Sequence, residues 1–196
     1  LTHVLDPAML TFEKFDSSKC NVISTGGVSV VRGTLDLIKA FLNLDKNYML
    51  YIFGGGTEGD LEKAEDCIDH FGLRSQVKLM NKVPLYILKE YVDQSDIGIV
   101  HYHKNDLNNL YCASGKVYEF VGEELPIVTT ENPPLKRMCE ELHIGQADDN
   151  YYIGIQEVYN NYSTYKNNVI KAKKLISSEN NNRVLAKKIR RILEGD

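Results

Sequence analysis

The chain has 196 residues, of which 43% are hydrophobic and 26% charged. That balance is ordinary for a soluble globular protein, and the length suits one good-sized domain with a two-faced core. The net charge of −4 at pH 7 gives no support to nucleic-acid binding, which calls for a basic surface, and no apolar run approaches the roughly 20 residues of a membrane span.

Cys20, Cys67, Cys112 and Cys139 are far apart, with no C-x-x-C pair and no histidine at zinc-finger spacing. They read as reduced structural thiols of a cytoplasmic protein; a nucleophilic Cys112 is the alternative. The opening Leu1-Thr2-His3-Val4-Leu5-Asp6-Pro7 lacks an initiator Met, a basic n-region and a long apolar stretch. It is not a signal peptide and reads as the interior of a longer chain.

Residues 1–20 have weak periodicity and read as a linker or incoming edge segment. Alternation then begins. Asn21-Val22-Ile23-Ser24-Thr25 predicts a strand ending at Gly26-Gly27, and residues 34–44 carry Leu35, Ile38, Phe41 and Leu42 at helical spacing. Tyr48-Met49-Leu50-Tyr51-Ile52-Phe53 is a continuous apolar strand stopped by Gly54-Gly55-Gly56. Thr57 can cap a helix over 58–70, with Leu61, Ala64, Glu65 and Ile68 on successive turns and a glycine stop at Gly72. Strands follow over 76–80, 96–101 and 126–130, and helices over 84–94, from Lys116 to Val121, and over 134–142. Short apolar strands separated by helices imply parallel pairing. The expected fold is α/β: a Rossmann-like, doubly wound parallel sheet over 21–150 with a C-terminal helical tail over 151–196. In the tail, Lys166, Lys171, Lys173, Lys174, Arg183, Lys187, Lys188, Arg190 and Arg191 are basic, Leu185, Ile189, Ile192 and Leu193 share one helical face, and Asn180-Asn181-Asn182 interrupts.

In such a sheet, ligands bind beyond the carboxyl ends of the strands, where four segments converge. Gly26-Gly27 with Arg32 can offer backbone donors and a guanidinium to a phosphate; a plain tight turn is the alternative. Gly54 opens a glycine run against which a base can pack. It lacks the acidic ribose partner of a dinucleotide fingerprint, because Asp66 and Asp69 fall inside the next helix. Asn81-Lys82-Val83 can read a base edge through backbone groups, or form an ordinary strand-to-helix turn. Ser114-Gly115-Lys116 opens a helix where Ser114, backbone donors and Lys116 can hold a diphosphate; Glu119, about one turn on, can accept from a ribose diol. A capping box with solvated Lys116 and Glu119 is the alternative.

In order and spacing these pieces resemble the donor-binding domain of retaining GT-B glycosyltransferases, the group often called family 4. The resemblance runs from about Asn21 to Thr130. It rests on the glycine turn before Arg32-Gly33, Tyr51-Ile52-Phe53-Gly54-Gly55-Gly56, Phe71-Gly72-Leu73, Ser95-Asp96-Ile97-Gly98-Ile99, Ser114-Gly115-Lys116-Val117-Tyr118-Glu119, Gly122 and Leu125-Pro126-Ile127-Val128. It implies that Gly26, Gly27 and Arg32 face the donor diphosphate from one side and Ser114, Gly115 and Lys116 from the other. Glu119 then matches the second glutamate of the E-x7-E motif, which binds the ribose. Tyr111 stands where the first glutamate belongs, no basic residue lies near Gly26, and Asn81 occupies a position that is often glycine. These departures bear on how the transferred sugar is held and on donor affinity.

The resemblance further implies a nucleoside-diphosphate sugar as substrate, no cofactor and no metal; the chain has no Asp-x-Asp motif. The acceptor would be a glycan, lipid or small molecule, with polysaccharide biosynthesis as one setting. The other partner is an N-terminal Rossmann-like domain of the same protein, from which residues 1–20 arrive and which supplies acceptor contacts and the remaining catalytic groups. The basic tail would dock on that domain or touch the inner face of a membrane peripherally. Two other functions fit: a non-catalytic binding module, favoured by Tyr111, and a nucleotide-sugar epimerase, for which His101 and His103 are the only nearby histidines.

Overall fold

The two longest strands are buried at every position and set the frame: β1 (Cys20–Thr25) and β2 (Tyr48–Phe53). Their side chains alternate between two separate cores, as the period of two in a strand requires. Tyr48, Leu50 and Ile52 enter one core; Met49, Tyr51 and Phe53 enter the other. This is seen in a computed structural model that describes residues 13–112 and 114–176. β3 (Val77–Met80), β4 (Ile97–Val100), β5 (Ile127–Thr129) and β6 (Gly145–Ala147) complete one parallel sheet of order β3-β2-β1-β4-β5-β6. Chain direction around the sheet reverses between β1 and β4, so the switch point lies at their carboxyl ends.

Helices cover both faces. α1 (Thr34–Ala40) and α2 (Glu58–His70) pack on one. α3 (Leu85–Asp93), α5 (Gly115–Gly122) and α6 (Pro133–Leu142) pack on the other, with the short α4 (Leu107–Leu110) in the loop before α5. α7 (Tyr151–Asn160) returns to the first face through Tyr151, Ile155 and Val158, and α8 (Tyr162–Ile176) reaches the second through Val169 and Ala172. The sheet is therefore doubly wound, as the alternation predicts.

Several details differ from the sequence expectation. α1 ends at Ala40, and Phe41, Leu42 and Asn43 continue with bonds to the third residue back. That tighter winding rotates the buried stripe onto Leu37, Ile38 and Phe41 and leaves Leu42 exposed. In α2, Cys67 is buried beside Ala64 and Ile68, while Glu65 pairs with Arg74 at the surface. The sequence reading omits α4 and β6, and gives α7 only as part of the helical tail over 151–196. β6 is a three-residue Gly-Gln-Ala strand with no β-branched residue to announce it. In α7 the buried Tyr151, Gly154, Ile155 and Val158 keep helical spacing within a Tyr- and Asn-rich stretch.

The segment before β1 is tied down from residue 13 onward. Phe15 stacks on Tyr51 with ring centroids 3.6 Å apart, and its amide donates to Gln94 Oε1 at 3.1 Å. Lys166, expected in the basic tail, lies in α8 and donates to the Glu124 carbonyl at 2.8 Å, while Lys173 pairs with the Glu124 carboxylate at 2.9 Å. Two of the tail's cations are thus used within the domain. Leu185, Ile189, Ile192 and Leu193 lie outside the described residues, as do Arg183, Lys187, Lys188, Arg190 and Arg191. No described helix is long and apolar enough to cross a membrane.

β4 carries one tight spot. A Cβ at Gly98 would lie 2.6–2.9 Å from ring carbons of the fully buried Phe120. Overpacking of this kind costs about 1–3 kcal/mol. Gly98→Ala should lower the unfolding free energy by that amount in urea titrations, and adding Phe120→Leu should recover part of it. Additive losses in the double variant would mean that Phe120 is not what excludes a side chain at position 98.

Candidate functional site

The carboxyl ends of β1 and β2 are joined by their glycine turns. The Gly27 amide donates to the Phe53 carbonyl at 2.9 Å, and the Val28 amide donates to the Gly55 carbonyl at 3.0 Å. A Cβ at Gly27 would stand 2.2 Å from the Gly55 oxygen, and one at Gly54 2.6 Å from the Gly27 nitrogen. Both residues have positive φ, so only glycine meets the conformational and spatial demands together. This differs from the expectation that Gly27 turns its amide toward a phosphate. The amide is committed to β2, and Gly27 acts by letting the two turns touch.

The chain then makes a closed turn toward α1. The Ser29 amide donates to Thr34 Oγ1 at 2.9 Å and the Thr34 amide returns a bond to the Ser29 carbonyl at 3.1 Å. Arg32 rides on this turn and is exposed. On the other side of the switch point Ser114 caps α5, its hydroxyl accepting from the Lys116 amide at 3.2 Å. The same oxygen lies 3.2 Å from the Tyr102 hydroxyl, and Ser114 is fully buried. Direct contact of the Ser114 hydroxyl with a diphosphate is the sequence expectation. Here that hydroxyl holds the helix end and Tyr102 instead. Gly115, the first residue of α5, has open space where a Cβ would be.

Lys116 folds back over Gly26, where a Cβ would meet its ammonium nitrogen. The ammonium also sits over the Tyr102 ring, 5.8 Å from the centroid. Burial, and then the charge of Arg32, pull Lys116 below the ordinary lysine range, with Glu119 opposing. His101, at the end of β4, is buried and held down to about 4 by burial, then by Lys116 and Arg32. Among the described residues neither Lys116 nor Arg32 has a carboxylate within ion-pair distance. The two cations thus act on each other beside the α5 amino terminus, and neither has an ion-pair partner among the described residues. Their mutual repulsion costs stability unless an anion enters.

Glu119, one turn along α5, is exposed and turns to the other side. It lines a cavity of about 240 Å³ with Thr25, Leu85, Leu88, Val92 and Phe120. Leu85 and Leu88 also line the neighbouring cavity of about 530 Å³, whose other walls include Phe53, Gly54, Lys82 and Val83. Gly26, under the Lys116 ammonium, is a further wall of that second cavity. Asn81 is exposed and is not a wall of that cavity. Tyr111 ends α4 and is 60% exposed; the buried Asn132 steadies that helix by donating to the Asn109 carbonyl at 2.9 Å. A separate polar cavity of about 470 Å³ lies against β6 and α6, but its Lys136 is already paired with Glu131. The four cysteines are free and only Cys112 is even partly open.

The sequence reading misses Tyr102, the seat of Lys116, and Leu85 and Leu88, the wall shared by both cavities. Tyr102 was within reach, since it directly follows the strand that borders the switch point. Leu85 and Leu88 read as ordinary helix residues until α3 is placed against α5.

No family model and no curated protein matches the sequence. Solved structures match in fold. HepE of Anabaena, in complex with UDP-glucose, has a TM-score of 0.70 at 13% identity over 91% of this chain and 49% of that one. The C-terminal domain of a group 1 glycosyltransferase, LpcC of Francisella tularensis, has a TM-score of 0.63 at 13% identity over 80% and 84%. The catalytic domain of cholesterol-α-glucosyltransferase from Helicobacter pylori has a TM-score of 0.62 at 14% identity over 81% and 99%. The fold is therefore the Rossmann-like α/β fold of GT-B glycosyltransferases. The chain spans about half the length of the HepE chain it matches.

The glycine contact makes two substitutions unequal. Gly26→Ala and Gly27→Ala both place alanine at positive φ, which costs about 1–2 kcal/mol. At position 26 the obstructing atoms are the far end of Lys116, which can swing aside; at position 27 the obstruction is the Gly55 backbone. Gly27→Ala should therefore lose roughly 3 kcal/mol or more in chemical denaturation and Gly26→Ala clearly less. Equal losses would show that the two turns do not bear on each other.

Proposed function

We propose that this chain is the donor-binding half of an enzyme that moves a sugar from a nucleoside-diphosphate sugar to a glycan, lipid or small-molecule acceptor with retention. The observation that carries this reading is the pair of uncompensated cations, Arg32 and Lys116, at the switch point. The fold shared with HepE, whose structure holds UDP-glucose, supports it, as do the two adjoining cavities that share Leu85 and Leu88, one lined by Glu119 and the other by Gly26, Gly54, Lys82 and Val83. Arg32, Lys116 and the α5 amino terminus receive the diphosphate. Glu119 accepts from the ribose hydroxyls. The base enters the cavity walled by Gly54, Lys82, Val83, Leu85 and Leu88. When the bond from the sugar carbon to the diphosphate oxygen breaks, negative charge collects on the leaving diphosphate. Fixed cations and helix dipoles stabilise that charge where it forms, with no cofactor or metal required in this reading. Acceptor contacts and the remaining catalytic groups belong to a second Rossmann-like domain.

Tyr111 supports a second reading, a binding module that has lost transfer chemistry, because a carboxylate is replaced there by a phenol. Both readings require donor binding. They separate on transfer by the complete protein, which the enzyme reading requires and the module reading forbids.

Binding is tested by calorimetry with nucleoside diphosphates. Residues 1–196 alone should bind one of them weakly and transfer no sugar; robust transfer by this chain would show that a second domain is unnecessary. A charged hydrogen bond is worth roughly 1.5–3 kcal/mol, so Lys116→Ala should weaken binding about tenfold or more and make the remainder less salt-dependent. Glu119→Ala should cost a similar factor for ribonucleotides and little for a dideoxyribose ligand. Equal losses for the two sugars would remove Glu119 from the ribose site, and no loss in either variant would sink the donor-site reading.

A further inference from the structure

His101 is the one group in the cation cluster that has no role in the binding scheme above. It is 4% exposed, and its Nδ1 is buried without a hydrogen-bond partner among the described residues. An orphaned buried ring nitrogen has lost its water without gaining a partner, and such a group calls for an explanation. Its position offers one. Ile97 and Ile99 lie in the core beneath α1 and α7, and the two-residue period of β4 carries His101 to the top of that same face. Lys116 acts on it from α5 and Arg32 from the turn before α1. From α7 the Tyr151 ring meets it edge-on at 6.3 Å. Tyr102 follows it in the chain, and His103, paired with Asp106 at 3.5 Å, lies one residue further. The charges that act on His101 are those of Lys116 and Arg32. The imidazole is neutral because it is buried next to two positive charges.

We propose that His101 is the proton-linked third partner of the anion held by Arg32 and Lys116: neutral and unpaired while the site is open, protonated from solvent and stabilised by the anion once one is bound. The inference rests on the reading of the two cations as an anion site, but not on the anion being a nucleotide. An entering dianion cancels the charges that hold His101 down and adds an attractive charge of its own. The bound-state proton affinity must then exceed the free-state one. By linkage, anion affinity rises as pH falls through the bound-state value, and stops rising near the free-state value of about 4. An opposite charge within about 4–6 Å moves a titrating group by one to three pH units, so affinity should rise roughly tenfold from pH 7.5 to pH 5.

The test follows histidine side chains by NMR in the intact chain, with His101 identified by His101→Gln and His103 by His103→Gln. Sulfate serves as the first probe, because it remains a dianion across the range, against chloride at equal ionic strength to remove simple screening. Sulfate should move the His101 titration upward well beyond chloride, and Lys116→Ala should raise His101 in the free protein. The second probe is a nucleoside-diphosphate sugar, whose diphosphate diester has no terminal phosphate to titrate near pH 6. Its affinity should rise about tenfold from pH 7.5 to pH 5 in the wild type and in His103→Gln, and stay flat in His101→Gln. Should His101 titrate identically with and without both probes, or should His101→Gln keep the slope, the inference is overturned. A sulfate response without any binding of a sugar nucleotide would uphold the proton-linked anion site and overturn the donor reading. The wild-type titration decides the matter even if His101→Gln fails to fold.

Discussion

The contact between the Gly27 turn and the Gly54-Gly55 turn is the constraint on which the mouth of the domain depends. Two parallel strands buried on both faces have no freedom to shift, because each side chain of β2 is claimed by one of two cores. Their outgoing turns must therefore cross at the separation the strands impose, and that separation leaves no room for a Cβ at Gly27 or Gly54. Bonds from Gly27 to Phe53 and from Val28 to Gly55 lock the crossing. The locked turn presents a flat Gly26 surface, and Lys116 lies across it. Replacing either close-packed glycine would move the floor of the site along with the strand ends.

The cluster built on that floor is held against its own electrostatics. Lys116 is half-buried and feels the charge of Arg32, with the Tyr102 ring, Glu119 and Cys112 favouring its charged form. Elsewhere among the described residues many cations are matched. Lys78 meets Glu13, Lys104 meets Asp149, Lys136 meets Glu131 and Lys173 meets Glu124. Among the described residues neither Arg32 nor Lys116 is in such a pair, and the two act on each other at the switch point. Stability is given up locally where function needs an unsatisfied group. The fully buried Ser114 and the Ser114–Tyr102 contact keep the α5 amino terminus in place while this strain is carried.

The separation of roles along α5 follows from helix geometry. Lys116 and Glu119 are three residues apart, close enough to interact and far enough to face different neighbours. Lys116 reaches back over β1, while Glu119 reaches the gap between α5 and α3. That gap continues past Leu85 and Leu88 to the ends of β2 and β3. One helix thereby links the charged part of the mouth to its apolar part.

Much of this was legible in the chain itself. Short unbroken apolar runs closed by glycines, such as 48–53, read as strands buried on both faces, and the intervening helical periods imply parallel crossovers, so the doubly wound sheet follows from local patterns. The glycines that end β1 and β2 and the Ser114-Gly115-Lys116 helix start were visible for the same reason: turns and caps are short-range chemistry. Elements with weak local signals were not legible. β6 is a strand because β5 lies beside it, and α7 is a helix whose Tyr- and Asn-rich composition hides four buried positions. Nor could spacing reveal that Gly27 spends its amide on β2, that the Ser114 hydroxyl meets Tyr102, or that His101 lies in the field of Lys116. Those facts depend on segments dozens of residues apart meeting at one end of a sheet. Periodicity and turn chemistry, which act within about one turn or one strand, determined the architecture from sequence alone. Contacts across the switch point, set by sheet order and the close approach of two glycine turns, were decided only by the tertiary structure.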